Sequence, residues 1–91
     1  MPQKAAHVHI SGRVQGIGFR WQTRLRAKEL KIEGWIRNNP DGTVEAFIQG
    51  NEEAIIHMIQ WFKDGPPGAK VEALDLSWQK PNPKIKGFNI F

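Results

Sequence analysis

The stretch Val8-His9-Ile10-Ser11-Gly12-Arg13-Val14-Gln15-Gly16-Ile17-Gly18-Phe19-Arg20 decides the architecture, because it passes from strand periodicity to helix periodicity across a run of glycines. Val8, Ile10 and, after Ser11 and Gly12, Val14 mark one face of a first strand, with His7, His9 and Ser11 on the other. Phe19, Thr23, Ala27 and Leu30 then recur at helical spacing as the buried stripe of an amphipathic helix. Charge is inverted where that helix starts. Unpaired amides and aligned peptide dipoles give a helix N-terminus a partial positive charge that acidic residues normally complement. Here Arg20, Arg24, Arg26 and Lys28 follow the glycines, and no acid appears before Glu29. A local preference overridden in this way is expected where function overrides stability, and a bound phosphate-like group supplies the missing negative charge.

A second helical segment serves as a control. Asn51 is placed to cap it, Glu52 and Glu53 fill its first turn, Lys63 lies in its last, and Gly65 follows Asp64 as a stop signal. That helix obeys the charge rule, so the departure belongs to the glycine loop. Its buried stripe is Ile55, Ile59 and Phe62, with Met58 beside them. Between the helices, Ile32 to Arg37 and Thr43 to Gln49 read as strands joined by the turn residues Asn38-Asn39-Pro40-Asp41-Gly42. After Gly65-Pro66-Pro67-Gly68, Val71 to Trp78 alternates as a fourth strand until Pro81 and Pro83 interrupt it, and Phe88-Asn89-Ile90-Phe91 reads as an added edge strand. The order strand, helix, strand, strand, helix, strand predicts an α+β ferredoxin-like split βαβ sandwich, with two helices packed on one face of an antiparallel sheet. One domain over residues 1–91 is expected, since the chain is too short for two cores.

Composition narrows the function by exclusion. With 40% hydrophobic and 24% charged residues the chain is of globular type, and a net charge of +4 mildly favours anionic ligands without the basic runs of a nucleic-acid tail. The absence of cysteine removes disulfides, thiolate zinc sites and cysteine phosphatase chemistry. Met1-Pro2-Gln3-Lys4 lacks the features of a secretory signal, and the longest stretch free of charge, Ala54 to Phe62, is far short of a membrane span; a soluble, cytoplasmic protein is expected. The glycine loop lacks the Gly-Lys-Ser/Thr ending of a nucleotide P-loop, and Trp21 stands where a dinucleotide fingerprint has its third glycine, so neither ATP nor NAD is called for. Glu29, Glu33, Asp41 and Glu45 do not form a spaced carboxylate pair of glycosidase type. His7 and His9 share a strand face, but no acidic or sulfur ligand has recognisable spacing with them, and they read as partly exposed strand residues. Trp21, Trp35, Trp61 and Trp78 read as core or rim packing, and Lys80, Lys84 and Lys86 as a solvated loop.

On Gly12 to Arg20, with Thr23 and Ala27, Gly34-Trp35-Ile36-Arg37-Asn38, Asp41-Gly42-Thr43-Val44-Glu45, Gly65-Pro66-Pro67-Gly68-Ala69 and Phe88-Asn89-Ile90, the chain resembles the acylphosphatase family over essentially its whole length. The resemblance implies hydrolysis of the mixed anhydride of a carboxylic acid and phosphate, without metal or other cofactor. It implies that Arg20 binds the phosphate, that Asn38 orients the attacking water, and that the backbone amides of Gln15, Gly16, Ile17, Gly18, Phe19 and Arg20 wrap the phosphoryl oxygens. The expected partners are a small acyl phosphate and phosphate itself, with no nucleic acid and no membrane, and the expected state is a monomer. Residue chemistry points the same way. A guanidinium offers two parallel donors to phosphate oxygens, which suits Arg20 better than Arg13 on the strand side of the loop. An asparagine holds water without acting as a strong base, and the carboxylate leaving group needs no strong acid. Taken without the resemblance, Asn38 reads equally as a turn residue ahead of Pro40, with Asn39 as its competitor on the opposite face.

The alternative function is a small ferredoxin-like RNA-binding or anion-binding module without catalysis. Gly16-Ile17-Gly18-Phe19 faintly matches an RNA-binding signature, but at a strand-to-helix loop rather than on a central strand. Two departures from the family stand out. Lys31 replaces the glycine that usually ends the first helix, at an expected stability cost of about 1 kcal/mol and none in activity, and Phe91 alters the terminal edge packing.

Overall fold

The computed structural model describes residues 3–91; the reading of the amino terminus rests partly on Met1 and Pro2, which lie outside them. The chain forms β1 (Gln3–Arg13), α1 (Phe19–Leu30), β2 (Glu33–Asn38), β3 (Val44–Asn51), α2 (Glu52–Asp64), β4 (Lys70–Gln79) and β5 (Phe88–Ile90). The strands form one sheet in the order β4-β1-β3-β2-β5. Period-two alternation sets its two faces. Val8 pairs with Ala46 and Leu76, and Ile10 with Val44 and Leu74, on the face covered by the helices. His7, opposite Phe47, and His9, opposite Glu45, lie on the other. The two helices pack through Phe19 and Phe62, whose rings stack at 6.0 Å, and Ile55 and Met58 of α2 are buried in the same core.

The four long strands are antiparallel as expected, but β5 pairs parallel to β2, so the sheet is mixed. The reason is a clasp at one end of the sheet. Gln49, 4% exposed, accepts from the Asn82 amide at 2.7 Å and donates to the Asn82 carbonyl at 2.9 Å. The segment after β4 is thereby held across the end of the sheet where β3 finishes and β2 starts. From there the nearer edge lies along β2 and is entered in the same direction, with the Gly34 amide donating to the Gly87 carbonyl.

Gly34 sits at φ +148 with β3 pressed against it; a Cβ there would lie 1.8 Å from the Phe47 carbonyl oxygen. Gly34→Ala is expected to cost about 3 kcal/mol, read as a lower urea midpoint. The end of α1 shows the opposite case. Lys31 takes the left-handed conformation, φ 57 and ψ 42, and is the only non-glycine at positive φ among the described residues. The Lys31 and Ile32 amides close the helix on the Lys28 and Ala27 carbonyls. Lys31→Gly should therefore raise stability by about 1 kcal/mol with turnover unchanged, measurable by denaturation and a rate assay on the same variant.

Candidate active site

Three things prepare the N-terminus of α1. Val14, just past the end of β1, and Phe19, the first residue of α1, are 1% and 2% exposed, so both ends of the connecting loop are nailed into the core. Gly16 and Gly18 take φ of 75 and 79, and a Cβ at either would point into open space. Gly18 serves as N-cap without a side-chain hydrogen bond, and the first turn carries no acid. The first backbone bond into α1 runs from the Gln22 amide to the Gly18 carbonyl. Among the described residues the amides from Gly16 to Trp21 meet no acceptor. By contrast α2 is complete: the Asn51 side chain accepts from the Glu53 amide at 3.0 Å, and Glu52 and Glu53 face the dipole.

Asn38 reaches the same place from the sheet. It ends β2 opposite Val44, and the turn beyond it is closed by the Asn39 amide on the Thr43 carbonyl at 2.8 Å. Thr43 donates its hydroxyl to Asp41 and accepts from Asn39 Nδ2 and the His9 ring. Hydrogen bonds from the Thr43 hydroxyl and then its amide hold the Asp41 carboxyl below the usual range. Asn39 is thus spent inside the turn. Asn38 instead keeps its Oδ1 buried with no hydrogen-bond partner, and such a group calls for a ligand or water.

The two loops enclose a cavity of about 180 Å³. Gly16, Gly18, Arg20 and Trp21 line it from the α1 side, Asn38 and Ile90 from the sheet, and Val14 and Phe19 from below. Arg20 is anchored at its edge by donating from Nη1 to the main-chain oxygen of Phe91 at 2.8 Å. Of the residues expected from sequence, Gly16, Gly18, Phe19, Arg20 and Asn38 come together there. Gln15 and Ile17 send their side chains elsewhere. Ile17 lies against Gly68 and the core. Gln15 donates from Nε2 to the carbonyls of Asn39 and Thr43, at 2.8 and 2.9 Å, tying the glycine loop to the Asn38 turn. That clamp was not expected, and its only trace in the sequence is a long amide beside two glycines.

A larger hollow, about 590 Å³, lies where α1 ends and α2 starts, lined by Glu29, Glu33, Glu53 and His57 among others. Its carboxylates repel a phosphate, so the smaller cavity is the better anion site despite its size. The open sheet face is occupied by an ion cluster in which His7 and Arg37 both hydrogen-bond Glu45. Burial alone would raise the Glu45 carboxyl, but bonds and charges from Arg37 and His7 outweigh it and keep the group below its ordinary range. Arg37 also covers Trp35, and Phe19 of the RNA-like stretch is buried against Phe62.

Comparison with known proteins identifies the family and the fold. The acylphosphatase family model matches residues 6–90. An acylphosphatase of Roseiflexus sp. (strain RS-1) is 47% identical over 99% of this chain and 97% of its own length. Among solved structures, the Coxiella burnetii acylphosphatase superposes with a TM-score of 0.92 at 31% identity, covering 98% of this chain and 93% of that one. The Bacillus subtilis acylphosphatase gives 0.91, also at 31% identity, over 97% and 98%. With the family pattern running through both loops of the cavity and nearly every residue of the fold, the chain belongs to the acylphosphatase family, hydrolases of acyl phosphates.

Proposed function

We propose that the cavity is the catalytic centre of acyl phosphate hydrolysis, with Arg20 and the loop amides holding the phosphoryl group and Asn38 aiming the attacking water. The observation that carries this reading is that one cavity is lined by Arg20, by both positive-φ glycines and by Asn38, whose Oδ1 is unpartnered. Unpaired amides at a helix N-terminus and a guanidinium fork together match three phosphoryl oxygens. Negative charge spread over those oxygens in the transition state is then met by dipoles already in place.

Asn38 accepts a hydrogen bond from water and orients its oxygen toward phosphorus. The new bond joins water oxygen to phosphorus as the phosphorus–acyl oxygen bond breaks. The electron pair leaves on the carboxylate, a stable anion at neutral pH, and the proton of the water is released with inorganic phosphate. Positive charge comes from Arg20 and the amides, so the chemistry asks for no metal.

The test is hydrolysis of benzoyl phosphate in the presence of a chelator. Turnover should be unaffected by chelation, release benzoate and phosphate in equal amounts, and be inhibited competitively by inorganic phosphate. Turnover that stops on chelation, or phosphate that leaves KM unchanged, would count against the reading.

A further inference from the structure

The cavity is small, about 180 Å³, and its rim is formed on the loop side by glycine backbone. With the phosphoryl group against the loop amides, the acyl portion of a substrate extends toward that rim. Of the lining residues only Gly16, Gly18 and Trp21 are exposed, and only Trp21 brings a side chain. Its indole is 55% exposed, although α1 already meets its packing needs through Phe19, Thr23 and Ala27. Arg24, one turn on, lies 5.9 Å from the indole centroid and makes no ion pair among the described residues. Ile90 of β5 supplies an apolar wall to the same cavity. A large exposed aromatic, backed by a cation at the mouth of the cavity, is a platform for a flat apolar group.

From this we infer that Trp21, with Ile90, forms an acyl subsite favouring substrates whose activated carboxyl is attached to a planar apolar group, aryl above all, over short aliphatic ones. The inference rests on the phosphoryl group being held by Arg20 and the loop. An aryl group extends past the rim and lies on the indole. An acetyl group ends before it. Removing the indole therefore changes substrate choice and leaves the phosphoryl chemistry alone.

The test compares benzoyl phosphate with acetyl phosphate for the intact protein, Trp21→Ala and Trp21→Phe. In Trp21→Ala, KM for benzoyl phosphate should rise about tenfold. Its kcat, both constants for acetyl phosphate and the inhibition constant of inorganic phosphate should stay within about twofold. Trp21→Phe should recover most of the loss. An unchanged KM for benzoyl phosphate, or an equal change for both substrates, overturns the subsite while the Arg20 and Asn38 assignment stands. Failure of the intact protein to hydrolyse either substrate overturns that assignment instead.

Discussion

Replacing Arg20 with alanine is expected to lower kcat/KM for benzoyl phosphate by about ten-thousandfold, or about 5.5 kcal/mol. A guanidinium carries five donors in a rigid fork. One is engaged by the main-chain oxygen of Phe91 at 2.8 Å, which fixes the side chain at the cavity edge and, in the proposed binding mode, leaves the others for phosphoryl oxygens. Alanine removes both the charge and the orientation at the point where negative charge spreads in the transition state. Arg20→Lys keeps the charge without the fork and should recover no more than about a hundredfold of the loss. Because Arg20 is half-exposed and outside the hydrophobic core, the fold should persist in both variants, which circular dichroism and a denaturation curve would verify. A natively folded Arg20→Ala protein with turnover within tenfold of the original would show that the phosphate is held elsewhere.

Asn38→Ala should reduce kcat by about a thousandfold and leave KM little changed. In the proposed mechanism the carboxamide acts on the water rather than on the bound phosphoryl group, so its loss is one of alignment. Stability should move the other way or not at all. Asn38 Oδ1 is buried without a partner, and removing an unsatisfied polar atom relieves a cost of about 1 kcal/mol or more. Lower turnover combined with unchanged or higher resistance to urea is the pattern of a residue kept for chemistry rather than for the fold. Asn38→Asp adds a further arm, since a carboxylate of the same shape faces the phosphoryl oxygens and should raise KM as well as lower kcat. If Asn38→Ala lost stability and turnover in proportion, Asn38 would be a turn residue only.

Much of this fold could be read from local signals. Asn51, Glu52, Glu53 and Gly65 delimit α2, because caps and charge act within a turn of the residues that carry them, and the apolar stripe from Phe19 to Leu30 marks α1. Strand edges shifted slightly. Ile32, read as a strand residue, instead closes α1 by donating to the Ala27 carbonyl. The direction of β5 was not legible, because it depends on a buried Gln49 meeting Asn82, 33 residues away. The same holds at the site. Gly16, Gly18 and Arg20 announce an anion by the missing acids, a conflict visible within one helical turn. Asn38 had no such local mark, and only family resemblance separated it from a turn asparagine. The Gln15 clamp spans 24 and 28 residues, a distance at which side-chain partners leave no periodicity to detect.

The reach of the Gln15 carboxamide also determines when the cavity comes into being. Its acceptors, Asn39 and Thr43, are presented only after β3 has docked against β1 and the hairpin with β2 has closed. An isolated strand–loop–helix fragment would carry the glycines and Arg20, yet have no opposing wall. If the loop holds phosphate as proposed, anion capture is linked to global folding, and inorganic phosphate is expected to stabilise the entire molecule rather than a single loop.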